Sequence, residues 1–444
     1  MKARFQPLLF LTFWGSVLVF TAFLYAKGGT GQMKDLKINP GRLNNRILEL
    51  AEYGKTHEGG VNRVAFSKED KDSRKYLIEL MNEAGLDVRI DAAANIIGRR
   101  EGRIPGLPPI LLGSHTDTVP HGGKYDGALG VLSAIECAQV IYENGIQTRH
   151  PLEIVVFTDE EGGLAGSRAM TGTLTSDALD VVSHSGKTVG EGIRYLGGDP
   201  DAIQEVARQT GDIEAFLEIH IEQGQKLEKE GIDIGVVEGI VGINWWDVLV
   251  EGSANHAGTT PMDMRKDALL TAAHFIIAVN RIVKSFPGSQ VGTVGRIEAE
   301  PGAPNVIPGR VLLSLEIRDL SSEKIRSIFK KIEKEAAVLS SQTGTPISFS
   351  PIDAMAVPAP TDPAIRQVIA ETAQQLGLSY KFMPSGAGHD AQDMAKISPT
   401  GMIFIPSVGG ISHSPREFSK KKDCTNGANI LLQSFLKIDQ TSSR

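Results

Sequence analysis

The sequence predicts an α/β fold: a mostly parallel sheet with helices on both faces, interrupted by an inserted ferredoxin-like α+β unit. Three observations carry this. Short apolar runs at 110–113, 154–157, 216–219 and 402–405 read as buried strands, and helical patterns alternate with them. Over 231–349 the pattern changes to strand and helix in the order β-α-β-β-α-β, the first strand long or doubled. From Thr361 the first alternation resumes, so one domain encloses the other in sequence. A chain of 444 residues also exceeds the size at which one core keeps growing. Two domains are therefore expected, 33–230 with 350–444, and 231–349.

The elements follow in order. Lys2 and Arg4 precede an uncharged stretch from Leu8 to Leu24, and a Gly-rich joint closes this segment at 28–31. Residues 1–32 read as a signal peptide or a single membrane anchor with its linker. Ala22 and Ala26 permit cleavage, while basic residues on both sides leave orientation poorly specified. Either way the folded part is expected to be exported (periplasm or secretory pathway) or anchored with its main domain outside the cytoplasm. Two amphipathic helices come next. Ser67-Lys68-Glu69-Asp70, close to a capping box, opens the second, which carries Leu77, Ile78 and Met81 on one face. Residues 127–144 read as a helix.

Within the insertion, a hairpin-like pair of strands is expected over 235–252, a helix over 267–286, and strands over 292–299 and 310–317. Ser321-Ser322-Glu323 opens a further helix with Ile325, Ile328, Phe329, Ile332 and Leu339 on its buried stripe, and a last strand covers 346–350. Such a unit has an exposed sheet edge that two copies could pair, so a two-fold dimer is the simplest assembly.

Composition narrows the function. With 41% hydrophobic and 22% charged residues the chain resembles an ordinary soluble enzyme. A net charge of -7 argues against a nucleic-acid partner, which needs a concentrated basic face. Two cysteines are too few for a disulfide scaffold or a zinc–thiolate site, and Cys137 sits in a helical apolar pattern.

The chemistry lies where the strands end. Gly113-Ser114-His115-Thr116-Asp117 directly follows a buried strand, and residues two apart on an extended chain share a face. Asp117 is thus expected to hold the ring of His115, as carboxylates hold metal-bound histidines. Asp126, in a Gly-rich turn before a helix, is either an N-cap or a carboxylate bridging two cations. Thr158-Asp159-Glu160-Glu161 ends a second strand; successive side chains diverge, so one glutamate can bind metal while the other faces substrate as general base. His220 ends a third strand and His413 follows a fourth. A lone strand histidine is more often structural, but all these candidates lie at or just beyond carboxyl ends of strands, where open α/β sheets place their sites. His115, Asp126, Glu161, His220 and His413 would suit two divalent ions, one carboxylate bridging. Imidazole with carboxylate favours zinc and admits manganese, nickel or cobalt.

From about Asn39 onward the chain resembles the hydantoinase/carbamoylase branch of the di-zinc peptidase superfamily. That branch includes N-carbamoyl-L-amino-acid hydrolases, allantoate amidohydrolases and β-ureidopropionases. The marks are Gly60-Val61-Asn62-Arg63, GSHTDTV at Gly113, GGKYDG at Gly122, DEEG at Asp159, EIHIEQG at Glu218, NHAGTTPM at Asn255, NVIPG at Asn305 and SGAGHDA at Ser385. The resemblance implies a zinc-peptidase-like catalytic domain, with the insertion as its dimerisation and lid domain. It implies that His115, Asp126 and His220 hold one metal, and Asp126, Glu161 and His413 the other. Glu160 would be the general base and Asp117 the orienting acid. Gln223, His256, Asn305 and Arg318 would contact a small carboxylate substrate. Arg318 would take the carboxylate bidentately, and His256 would reach the partner subunit's site in a homodimer and stabilise the oxyanion.

The implied reaction is hydrolysis of a ureido (N-carbamoyl) or linear amidine C–N bond, as in an N-carbamoyl-L-amino acid or allantoate. After Glu161 many relatives carry a longer loop with an Arg-Phe pair; here Gly162-Gly163-Leu164-Ala165-Gly166-Ser167 is short, a difference that bears on substrate preference. Two rivals remain beside this reading. A dipeptidase or aminoacylase of the same superfamily is opposed by His220, by NHAGTTPM and by Asn305 with Arg318. A non-catalytic binding domain is opposed by the intact Glu160 and five intact ligands.

Overall fold

Strands that are apolar throughout have to be covered on both faces, and the computed structural model, which describes residues 36–441, shows how. The leader expected over 1–32 lies outside these residues; among them no helix is long and apolar enough to cross a membrane. In chain order the strands begin with β1 (Asp87–Ile90), β2 (Ile96–Arg100), β3 (Ile110–His115), β4 (Leu152–Phe157), β5 (Ala215–Ile221) and β6 (Ile234–Ile240). There follow β7 (Gly242–Glu251), β8 (Asn255–His256), β9 (Val291–Thr293), β10 (Ile297–Glu300), β11 (Val306–Ile307), β12 (Arg310–Asp319) and β13 (Ile347–Ala356). The last are β14 (Ala359–Pro360), β15 (Tyr380–Ser385) and β16 (Thr400–Ile405).

A nine-stranded sheet runs β1-β2-β4-β3-β5-β16-β6-β14, with β15 beside β6. Its centre, β4-β3-β5-β16, is parallel. Every residue of those four strands is buried, because side chains alternate between two cores. Leu112, Ile154, Leu217 and Ile403 pack toward the helix Ala128–Glu143, whose residues are buried from Ala128 to Ile141. That helix packs on β3, β4 and β5 and is covered on its other sides by the helix Pro40–Leu50 and by Lys421–Thr441, which itself lies on β5 and β16; this explains its lack of a polar face. Leu111, Phe157, Phe216 and Phe404 pack on the opposite side. The helix Lys68–Glu83 starts as expected, with the Ser67 side chain accepting from the amide of Asp70. The Asp70 carboxylate, however, turns back to the amide of Phe66.

The insertion differs from expectation at its entrance. The run over 235–252 is no hairpin: β6 joins the large sheet and β7 starts a second one. Burial shows why. β6 is almost wholly covered, between β15 and β16, whereas β7 alternates along its length as a one-sided strand does. The strand expected over 292–299 is two, β9 and β10, both paired to β12. The smaller sheet runs β10-β12-β7-β13, antiparallel throughout. That is the second, third, first and fourth strand of a β-α-β-β-α-β unit. Its two helices, Ala268–Lys284 and Ser322–Thr343, cover one face through Phe275, Ile328 and Ile332, packed on Val248, Leu313 and Leu315.

Register leaves no room at one position. A Cβ on Gly113 of β3 would lie 2.2 Å from the Val155 carbonyl oxygen of β4. Gly113→Ala should therefore destabilise the fold by about 2 kcal/mol or more, measured by denaturant unfolding. An unchanged midpoint would show that β3 and β4 are not held at this spacing.

Candidate metal centre

Parallel neighbours end on the same edge of a sheet, so the order β4-β3-β5-β16 gathers the residues that close these strands. His115 is the last residue of β3, His220 lies near the end of β5, Glu160 and Glu161 follow β4, and His413 sits in the loop after β16. Asp126 arrives on the turn before the helix Ala128–Glu143. The N-cap of that helix is Gly127, which makes no side-chain cap, so Asp126 is not used as a cap. Gly127 has φ +61°, and a Cβ there would meet the His115 ring at 2.4 Å. Only glycine lets the helix start this close to the histidine.

The two oxygens of Asp126 face different partners. Oδ1 lies 3.1 Å from His220 Nε2 and 3.6 Å from His115 Nε2. Oδ2 lies 3.6 Å from His413 Nε2, which is in turn 3.5 Å from a Glu161 oxygen. Among the described residues, His115, Asp126 and His220 form one group able to hold a metal ion, and Asp126, Glu161 and His413 another. A third, wholly buried group joins Glu218, His220 and His389. The ring orientations fit ligation. Nδ1 of His220 bonds the Ile221 carbonyl at 3.0 Å and Nδ1 of His115 bonds the Asp117 carbonyl at 3.1 Å, which turns Nε2 of each toward the centre, that of His220 also lying 3.1 Å from the Gly127 amide. Nε2 of His115 and Oε1 of Glu161 are buried with no hydrogen-bond partner, a costly state that a bound cation relieves.

Asp117 departs from the expected role. Its main-chain carbonyl, not its carboxylate, orients the ring; the carboxylate stands 3.8 Å from Nδ1. Its oxygens instead accept from the amides of Glu160 at 3.3 Å and Glu161 at 3.1 Å, fixing the peptide that carries both glutamates.

Electrostatics point the same way. Burial, then Asp390 and Glu161, pushes the Glu160 carboxyl well above its ordinary range, and burial with Asp126 and Asp117 pushes Glu161 up to about 9. Burial drives the His115 ring down to about 4. Burial also opposes charge on Asp126 and His220, but their mutual attraction wins: Asp126 falls below the ordinary carboxylate range and His220 rises to about 9. So many carboxylates without balancing cations make a site suited to positive charge.

A cavity of ≈ 200 Å³ opens here, lined by Asp126, Glu160, Glu161, Gln223, His389 and His413 among others. Gln223, expected at the substrate, donates to Asp126 Oδ2 at 2.7 Å. Arg318 reaches toward the cavity from β12, donating at 2.8 Å to the Gly386 carbonyl, one residue before the lining begins at Ala387. Its fork is already engaged by Glu316, at 2.7 and 3.1 Å. His256 and Asn305 lie together at the β8–β11 ladder, both exposed, and neither lines this cavity.

Sequence reasoning missed several supports. Ser412 Oγ lies 2.7 Å from Asp126 Oδ2 and 2.9 Å from Glu417 Oε2, so its one hydroxyl proton bridges the two carboxylates, and Glu417 also accepts from the amides of Tyr125 and Asp126. Glu218 accepts from Ser114 at 2.7 Å and from the amide of Ala391 at 3.1 Å. His389 packs with its ring centroid 4.5 Å from that of His220. The last carried a usable signal: Gly386-Ala387-Gly388-His389-Asp390 follows β15 as the other motifs follow theirs.

A parallel α/β sheet with histidines and carboxylates converging on its carboxyl edge defines a hydrolase built round a candidate metal centre. The particular family follows from comparison: over residues 111–437 the chain matches the model of peptidase family M20/M25/M40, and it belongs to that family. It is 41% identical to an N-carbamoyl-L-amino acid amidohydrolase of Geobacillus stearothermophilus, covering 90% of this chain and 98% of that protein. Identity is 37% to a ureidoglycolate hydrolase of Arabidopsis thaliana, covering 93% and 89%. A crystal structure of a hydantoinase/carbamoylase family amidase from Burkholderia multivorans superposes with a TM-score of 0.84 at 35% identity, covering 91% of this chain and 98% of that one. The branch read from the motifs is thus borne out.

A ligand that binds only the folded state stabilises it by mass action. Chelation of divalent metal should lower the melting temperature by about 5 °C or more, and divalent metal should restore it. An unchanged melting curve on chelation, with no divalent metal released by elemental analysis, would show that these clusters hold no ion.

Proposed function

We propose that this chain hydrolyses the ureido or linear amidine C–N bond of a small carboxylate substrate, of the N-carbamoyl-L-amino acid or allantoate kind. The observation carrying the two-ion form of this reading is the division of Asp126, with Oδ1 toward His115 and His220 and Oδ2 toward His413. His115, Asp126 and His220 would hold one ion, and Asp126, Glu161 and His413 the other. Three imidazoles with carboxylates favour zinc and admit manganese, nickel or cobalt. When bound, the ions supply Lewis-acid polarisation of the scissile carbonyl and a water of lowered pKa.

The chain's own residues do the rest. Glu160 lines the cavity and stands 3.5 Å from His115 Nε2, where it takes a proton from the attacking water and returns it to the leaving nitrogen. Asp117 keeps Glu160 and Glu161 in place through their amides. Gln223 lies at the cavity wall as a substrate donor, and Arg318 clasps the substrate carboxylate. His256 and Asn305, set apart from the cavity of their own chain, are assigned to the partner's site in a homodimer, His256 stabilising the oxyanion. Exposed apolar side chains at Leu270 and Ile277 on the helix Ala268–Lys284, and at Val291 and Ile297 on the edge strands β9 and β10, support such pairing.

Three outcomes are expected. Asp126→Asn should lose both ions by elemental analysis, whereas Glu160→Gln should retain them and lose turnover by about 10²–10⁴-fold. Near-normal turnover in Glu160→Gln would remove it as the base. In a panel of N-carbamoyl-L-amino acids, allantoate and N-acetyl amino acids assayed for released amine and ammonia, the ureido compounds should be preferred. Faster N-acetyl hydrolysis would turn the reading to an aminoacylase. If sites are shared, mixing His256→Ala with Glu160→Gln should restore about a quarter of parental activity on random subunit exchange, since half the dimers are mixed and each has one whole site. Background activity after verified exchange would place His256 in its own chain's site.

A further inference from the structure

Arg318 offers five N–H donors in a planar fork, and the structure accounts for three of them. Nε donates to one oxygen of Glu316 at 2.7 Å and Nη2 to the other at 3.1 Å. Nη1 donates to the Gly386 carbonyl at 2.8 Å. One N–H is left on each terminal nitrogen, the number that a two-point contact with a carboxylate requires. Glu316 is itself held from a second side, accepting from the indole N–H of Trp245.

The register explains the arrangement. Glu316 of β12 is directly opposite Trp245 of β7, and Arg318 follows two residues on along the same face. Leu315 and Ile317, which alternate with them along β12, are buried in the core under the helices, so Trp245, Glu316 and Arg318 occupy the face that carries no helix. Both members of the pair are largely covered, with 27% of the Arg318 side chain and 21% of that of Glu316 exposed. Burial opposes charge on Glu316, but Arg318 and Trp245 outweigh it and hold its carboxyl below the ordinary range.

We propose that Glu316, braced by Trp245, is a positioning and specificity-determining residue: it occupies the side edge of the Arg318 guanidinium, so that only the terminal N–H pair is presented to a planar monocarboxylate substrate. This rests on the reading that Arg318 binds the substrate carboxylate. Glu316 serves two ends. It fixes the plane of the fork, with Gly386 fixing the other terminus, and it balances the guanidinium charge so that the substrate adds to a neutral pair instead of meeting an unpaired cation. Lysine, with one ammonium, has no second edge to brace and could not be held this way.

The test measures KM and kcat for the best N-carbamoyl-L-amino acid of the panel, using the metal-loaded full chain. Glu316→Gln keeps the shape but not the two equivalent acceptor oxygens; KM should rise about tenfold with kcat within about twofold, since ground-state binding is lost and the reacting atoms are untouched. Trp245→Phe should raise KM about threefold in the same manner. A purely structural role would instead lower kcat, metal content and melting temperature together. Arg318→Ala should raise KM about a hundredfold, and adding Glu316→Gln to it should change nothing further, because two residues acting through one contact are not additive.

If Arg318→Ala raises KM but Glu316→Gln and Trp245→Phe leave it within twofold, the positioning role is overturned while the carboxylate clasp stands. Multiplying effects in the double variant overturn it equally, since Glu316 would then act on its own. If Arg318→Ala leaves KM unchanged, the clasp itself fails and the proposal with it.

Discussion

The carboxylate of Asp126 is where three separate parts of the chain meet. The turn before the helix Ala128–Glu143 carries it, β5 brings His220 against one oxygen, and the loop after β16 brings Ser412 and His413 to the other. Even its main chain is tied down, since its amide donates to Glu417 from that same loop. A buried carboxylate with this many partners costs several kcal/mol to desolvate and is retained only where each partner is in place. The burial of β3, β4, β5 and β16 on both faces supplies that precision. Strands fixed by two cores allow their ends little freedom, and a metal centre needs ligand atoms placed to within a fraction of an ångström.

Much of this was legible in the sequence because the strands of a parallel sheet are apolar on both faces and announce themselves as short uniform runs. Charged and histidine residues where such runs end are conspicuous for the same reason, and His115, Glu160, Glu161 and His220 stand out at once. The sheet to which a strand belongs is another matter. β6 and β7 are apolar runs separated by one residue, Val241, and local pattern joins them into a hairpin although they lie in different sheets. Alternation in β7 against near-uniform burial in β6 is the physical difference, blurred in sequence by Trp245 and Trp246, adjacent aromatics that face opposite ways.

Supports at a distance left no local trace. Glu417 and Ser412 reach Asp126 from the far end of the chain, and no spacing rule connects them. Asp117 shows a subtler failure. The two-residue spacing from His115 is real, yet the chain leaves β3 at His115, and past that point alternation no longer governs where a side chain goes. The ring is held by a carbonyl, and the carboxylate serves the neighbouring strand's loop. Arg318 was named by the family resemblance, whereas its engagement by Glu316 needed the cross-strand register that places Trp245 opposite.

The way the smaller sheet is attached has a topological consequence. The chain leaves the large sheet at Ile240 and returns at Ala359, and those two residues are paired partners in adjacent antiparallel strands. Three residues along, Ile243 and Ala356 are again partners, now in the other sheet. Seen from the large sheet, then, everything from β7 to β13 occupies the place of a tight reverse turn between β6 and β14. The entropy of closing a loop depends on the distance between its ends, which here is that of a β-ladder, and grows only with the logarithm of its length. A second folded unit has thus been grafted where the parent sheet requires no more than a few residues of connecting chain.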